Sequence, residues 1–285
     1  NVMLRNKFSN KITIKKSDNF GFKNSKTWGF DDAKDFIFLG DSFTYGSDVA
    51  HGESFFDNFK KKYPNSINLG CGGTGPIIQK GIFREYVGHI KPKYLIWSLY
   101  LGNDINSDLS SEYNSFYKNY LNSNFQQSLY LKQNILDKLI IDSWNENITK
   151  KKLEKNLPLE CELRLKNFIN CKKYFSIFKL KQLRNLLGLK FSFSKTEFNI
   201  LTQILEEIRV QTNSWNGKLI INIIPSQDRY QNILHMLDYD SYNNKIFDFL
   251  KENQFVYIDM SQYFNSYNIQ TYIDGHFTVL GNKLM

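Results

Sequence analysis

Short apolar runs, each cut off by glycine or proline, restrict this chain to few folds. Phe36–Leu39 stops at Gly40, residues 66–69 at Gly70, residues 94–101 at Gly102 and Lys218–Ile224 at Pro225. A fifth run, 255–259, comes last. The longer runs are apolar at successive positions, as strands buried on both faces are. Helical segments separate them. Residues 53–63 read as an amphipathic helix ending near Pro64, and 77–89 as a helix ended by Lys91-Pro92. Residues 197–212 carry Ile200, Leu201, Ile204, Leu205 and Ile208 on one face, and 242–250 read as a further helix. Strand–helix alternation predicts an α/β fold, with a parallel sheet covered by helices on both faces. Reactive groups in such sheets belong at the carboxyl ends of the strands.

The strand ends carry the residues with chemistry. Gly40-Asp41-Ser42 places a hydroxyl where strand passes into helix, beside backbone N–H groups and a positive dipole end. Gly40 permits the tight turn because it has no Cβ to clash. Asp and Ser are also ordinary helix caps, and a serine becomes a nucleophile only when a base reaches it. The histidines are His51, His89, His235 and His276. His276 stands in Asp274-Gly275-His276-Phe277-Thr278, with Gly281 shortly after. A Ser–His mechanism needs an imidazole to take the proton and a carboxylate to hold its tautomer. Alone, Asp-Gly-His is a common loop; with the serine motif it supplies a candidate pair. Between them, 68–76 reads Asn-Leu-Gly-Cys-Gly-Gly-Thr-Gly-Pro. Its glycines let the backbone approach a ligand and turn N–H groups inward. Gly102-Asn103-Asp104 ends the most apolar run. An Asn amide there can donate to a developing oxyanion or simply make a turn.

These four motifs, in this order, resemble the four blocks of the SGNH (GDSL-type) hydrolase superfamily. The resemblance implies a flavodoxin-like three-layer αβα sandwich on a parallel sheet of about five strands. It implies Ser42 as nucleophile, His276 as base and Asp274 as the group orienting His276. It further implies an oxyanion hole from the Ser42 N–H, the Gly73 N–H and the Asn103 side-chain amide, with Gly40 and Asp41 in support. No cofactor and no metal are implied. One residue, Gly275, separates Asp274 from His276, where many members have two. That spacing, followed by Phe/Trp, Thr/Ser and Gly, resembles a subset of bacterial members. The family usually continues with a helix after the last block, and here Met285 follows soon. The implied activity is ester hydrolysis through a serine acyl-enzyme, foremost the removal or transfer of a short acyl (acetyl) group on a carbohydrate. The superfamily also holds lipases and thioesterases for longer acyl chains. A catalytically inactive binding domain on the same fold is the reading from another class. Tyr45, Trp97 and Tyr100 lie near the motifs, where they would stack on a sugar or fill the core; core is the reading for Trp97.

The remaining organisation follows from composition. The 285 residues, 41% hydrophobic and 16% aromatic, suffice for one large α/β domain with an insertion. Residues 1–34 read as an extension wrapping the core, with a short hairpin. Residues 35–105 and 197–285 form the catalytic domain, and 106–196 a basic helical insertion. Tyr113, Phe116, Tyr117, Tyr120 and Leu121 recur there at helical spacing, as do Leu136, Leu139 and Ile140. Residues 150–190 are rich in lysine and arginine, and the whole chain carries a net charge of +9. This balance favours an anionic glycan or membrane surface as a partner. Nothing resembles a nucleic-acid-reading motif, so no nucleic acid is expected. Cys71, Cys161 and Cys171 have no metal-ligand spacing. No run within 1–285 is long enough to span a bilayer, and none reads as a signal peptide. Bacterial cytoplasm and cell envelope both stay open, as does what precedes Asn1.

Overall fold

The computed structural model describes residues 2–5, 12–154, 194–230, 233–264, 272–273 and 275–285. An antiparallel hairpin, β1 (Val2–Arg5) and β2 (Ile12–Lys15), opens the chain. Five parallel strands then build the main sheet: β3 (Phe36–Leu39), β4 (Ser66–Asn68), β5 (Tyr94–Tyr100), β6 (Lys218–Ile224) and β7 (Val256–Asp259). Their order is β4-β3-β5-β6-β7, so the first strand laid down is flanked by the second and third. This is the doubly wound 2-1-3-4-5 plan, whose switch point lies beside the end of β3. Ser42 follows there directly.

Register decides what the sheet buries. Ile37 pairs with Leu95, Leu39 with Trp97, Leu95 with Leu219, Trp97 with Ile221 and Leu99 with Ile223. These side chains share one face and are almost fully buried. The helix Pro76–Ile82 covers part of that face, and Trp97 Nε1 donates to Gln79 Oε1 at 2.6 Å. Trp97 is thus core and has no surface to offer a sugar. The helix Lys195–Ser214 buries Ile200, Leu201, Ile204, Leu205 and Ile208 as its periodicity requires. On the other face Phe38 packs with Phe55 and Phe56 of the helix Phe55–Lys62.

Several boundaries differ from the sequence reading. The helix expected over 77–89 is α-helical only to Ile82, then takes a π turn at Phe83–Val87 before Gly88–Ile90. The helix expected from 242 begins at Ile233. Its buried residues Tyr239, Asn243, Ile246 and Leu250 include a polar Asn, which masks the apolar stripe. Asn243 Nδ2 is satisfied by the Tyr239 carbonyl at 2.8 Å. The chain forms two compact units, Asn1–Gln127 with Phe191–Met285, and Ser128–Lys190. The segment from 106 to 127, expected in the insertion, therefore belongs to the sheet domain. Glu112 and Tyr120 hold it there, Glu112 on Gly75 and Tyr120 through its hydroxyl on Glu85. In the second unit the helix Gln133–Glu154 carries a groove along Leu136, Leu139, Ile140, Ser143 and Trp144. Lys150, Lys151 and Lys152 fall in that helix; the basic positions from 155 to 190, and Cys161 and Cys171, lie outside the described residues.

Residues 18–28 are bound to the sheet domain by polar contacts. Asp18 accepts from the Phe20 and Phe22 N–H groups, from Asn24 Nδ2 and from Trp28 Nε1. Asn24 bonds both the N–H and the carbonyl of Asn68 at the end of β4. Lys23 Nζ, buried, donates to the Gly46 carbonyl at 2.8 Å. No helix among the described residues is long and apolar enough to cross a membrane.

Candidate active site

The serine turn is built by close approach. A Cβ on Gly40 would lie 2.9 Å from the Ser98 carbonyl oxygen and collide with Thr44 Oγ1, so only glycine lets β3 leave the sheet here. Asp41 caps the short helix Ser42–Tyr45, accepting from the Phe43 N–H at 2.9 Å. Ser42 is its first residue, and Gly46 ends it in the left-handed region at φ 68°. The Cys71 N–H donates to the Gly40 carbonyl at 3.0 Å, which fastens the glycine block to the serine turn.

His276 arrives from the other end of the chain on a two-stranded hairpin, β8 (Tyr272–Ile273) and β9 (His276–Phe277). Phe277 and Tyr272 pack with Phe43, Phe264 and Met260, so the hairpin docks on the residue next to Ser42. The Gly275 N–H also donates to Gln227 Oε1 at 3.1 Å. His276 Nε2 lies 2.9 Å from Ser42 Oγ, and Nδ1 lies 2.7 Å from Asp48 Oδ2. An ionised carboxylate only accepts, so Nδ1 carries the ring proton and Nε2 is free to accept from the serine hydroxyl. Asp274 lies outside the described residues. Asp48 went unnoticed in the sequence. The available signal was an acidic residue two positions past a helix-ending glycine, where the chain doubles back beneath the serine.

The remaining motif residues gather at the same sheet edge. A Cβ on Gly72 would stand 3.8 Å from Ser42 Cβ, so this glycine borders Ser42. Gly73 is exposed at φ 76°, with open space around its Cβ position. Asn103 Nδ2 donates to Asp108 Oδ2 at 2.7 Å, which leaves its second amide proton available. Asn103 Oδ1 is buried without a hydrogen bond. Tyr100 packs on Phe43 with ring centroids 4.2 Å apart. Lys23 Nζ stands 5.6 Å from the Tyr45 ring centroid.

Beneath the site lies a belt of buried carboxyls. Burial pushes Asp41 up to about 7, against the Phe43 N–H and the nearby His276 charge. Asp104 has no exposed surface and accepts from the Tyr100 N–H at 3.0 Å; burial, then the charge of Asp41, holds it well above the carboxylate range. Burial also raises Asp108, and takes Glu112 to about 7 despite three N–H donors. Like charges oppose one another's ionisation, and Asp108 raises Asp41, Asp104 and Glu112 in this way. Among the described residues no group of His, Cys, Asp and Glu could hold a metal ion. The shallow depression over Ser42 is lined by Phe43, Asp48, His276 and Phe277 among others.

No family model and no curated protein matches the chain. Solved structures resemble it at low identity. A lipolytic protein of the G-D-S-L family from Veillonella parvula DSM 2008 is 13% identical, with 88% of this chain and 93% of that one covered and a TM-score of 0.43. An α/β hydrolase from the metagenome of Lake Arreo, Spain, is 12% identical over 90% of this chain and 93% of that one, with a TM-score of 0.47. A variant of an acetyl xylan esterase from Geobacillus stearothermophilus is 13% identical over 89% and 92%, with a TM-score of 0.46. At such distances the chain's own geometry has to carry any reading of function.

Proposed function

We propose that this chain is a serine esterase of the SGNH type that removes or transfers a short acyl group, such as acetyl, on a carbohydrate. The observation that carries the proposal is the 2.9 Å approach of His276 Nε2 to Ser42 Oγ, between residues 234 positions apart. Nothing in the fold's core requires a hydroxyl and an imidazole to meet there. In the first step Ser42 Oγ attacks the ester carbonyl carbon while Nε2 takes its proton. The oxyanion receives hydrogen bonds from the Ser42 N–H, the Gly73 N–H and the Asn103 amide. The C–O bond to the alcohol then breaks, and the alcohol leaves with the proton from Nε2. Water attacks the acyl-enzyme by the reverse proton path and releases the acid; a sugar hydroxyl in its place gives transfer.

The short acyl group is what the motif resemblance favours; the separate apolar groove of about 390 Å³ shares only Asn282 with the depression at Ser42 among the described lining residues. The carbohydrate half of the proposal rests on the motif resemblance.

The test is intact mass after exposure to a fluorophosphonate, on the wild type and on Ser42→Ala. A single adduct that vanishes in a folded Ser42→Ala supports the nucleophile. Turnover retained by a folded Ser42→Ala overturns it. Acetylated sugars and esters of rising acyl length then separate the short-acyl reading from a lipase-like one. A donor-plus-acceptor assay with product mass separates hydrolysis from transfer.

A further inference from the structure

We propose that Asp48, on the serine's own turn, is the positioning carboxylate of His276. This rests on the reading of Ser42 and His276 as nucleophile and base. Asp48 Oδ2 stands 2.7 Å from Nδ1, the nitrogen opposite the one that meets Ser42. A carboxylate there selects the tautomer whose Nε2 is free to act as a base. It also stabilises the imidazolium once that nitrogen has taken the serine proton.

The backbone fixes Asp48 at this spot. Gly46 reverses the chain, and its N–H returns to the carbonyls of Phe43 and Ser42. The Ser47 N–H donates to the Ser42 carbonyl at 3.1 Å. The Gly46 carbonyl receives the buried Lys23 ammonium. On the far side Val49 is buried, at 2% exposure. Asp48 is therefore held between a serine-anchored turn and a core residue. A positioning group works best when its support is rigid. The arrangement puts nucleophile and orienting carboxylate on one turn, so the histidine hairpin has only to deliver the ring.

Other charged groups stand on the neighbouring elements. Asp41 acts on His276 from the serine turn. Lys23 lies behind Gly46. Asp228 and Arg229 belong to the turn Gln227–Tyr230 that binds Gly275. All of these persist when Asp48 is changed, so a comparison of variant with wild type isolates the Asp48 charge. The Asp48 and His276 side chains keep 25% and 32% exposure, so solvent screens part of their attraction.

The experiment compares the wild type with Asp48→Asn, Asp48→Ala and Asp274→Asn. Asn keeps the shape of the side chain and removes its charge. One readout is the pH dependence of Ser42 labelling by a fluorophosphonate. The other is the His276 ring titration followed by NMR, which needs no activity. Asp48→Asn is expected to slow labelling roughly 10²–10⁴-fold. Both the acid limb of labelling and the His276 midpoint should move down by about one pH unit. Asp274→Asn should leave that midpoint in place. A His276 titration that is unmoved in folded Asp48→Asn, or that moves only with Asp274→Asn, overturns the proposal. If Asp48→Asn does not fold, Asp48→Ala gives the same titration test. A wild type that takes no label would defeat the esterase reading alone, and the NMR midpoints would still decide Asp48.

Discussion

Replacing Glu112 by Gln should change how stability depends on pH, and the structure sets the size of the change. Glu112 reaches from the segment after Asn103 to the glycine block. It accepts the Gly75 N–H at 2.5 Å, the Ile77 N–H at 2.9 Å and the Ile78 N–H at 3.3 Å. Burial takes its carboxyl from 4.5 to about 7 in the folded protein. Between those values the native state holds a proton that the unfolded chain has released. Stability therefore falls as pH rises through this window, by about 3 kcal/mol for this one group. Gln cannot titrate, so that slope disappears from the variant. Gln also turns one accepting oxygen into an NH₂ facing an N–H donor, at a cost of about 1–3 kcal/mol. Urea unfolding from pH 4 to pH 8 should show Glu112→Gln clearly less stable at pH 4, with the gap narrowing or closing by pH 8. Asp41 and Asp104 titrate in both proteins and drop out of the difference. A gap constant across that range would refute the reasoning, because it would mean that Glu112 is ionised throughout.

Two further expectations follow from the site. Asn103→Ala should lower kcat roughly 10²–10³-fold with little change in KM, since its bond strengthens only as the oxyanion forms; steady-state kinetics showing an effect on KM alone would count against that role. Gly40→Ala should cost roughly 2–5 kcal/mol in urea unfolding, because the new Cβ meets the fixed Ser98 carbonyl at 2.9 Å; a loss below about 1 kcal/mol would show that the turn yields more easily than its packing implies.

Much of the sheet could be read directly because its inner strands are largely buried on both faces. β5 and β6 are mostly apolar, broken only by Ser98 in one and by Lys218 and Asn222 in the other, and their ends are marked by Gly102 and Pro225. Ser42 and Asn103 were picked out at the ends of such runs and His276 from its Asp-Gly-His motif, and the structure brings His276 Nε2 to 2.9 Å from Ser42 Oγ. Asp48 was not, since its meeting with His276 depends on a left-handed glycine and on a hairpin from the far end of the chain. No periodicity encodes that contact. In the glycine block only backbone geometry separates Gly72, which borders Ser42, from Gly73, which faces open space. The start of the insertion was misplaced because Glu112 and Tyr120 look like surface residues until their partners Gly75 and Glu85 are known.

Asn282 ties two distant parts of the chain together. Its Oδ1 accepts the Phe55 N–H at 2.9 Å, and its Nδ2 donates to the Thr278 carbonyl at 3.0 Å. One side chain thus links the start of the helix after the serine turn to the segment that follows the histidine. Asn282 is thus a clasp between positions 227 residues apart in the chain, and its loss would free the helix start and the turn after His276 together.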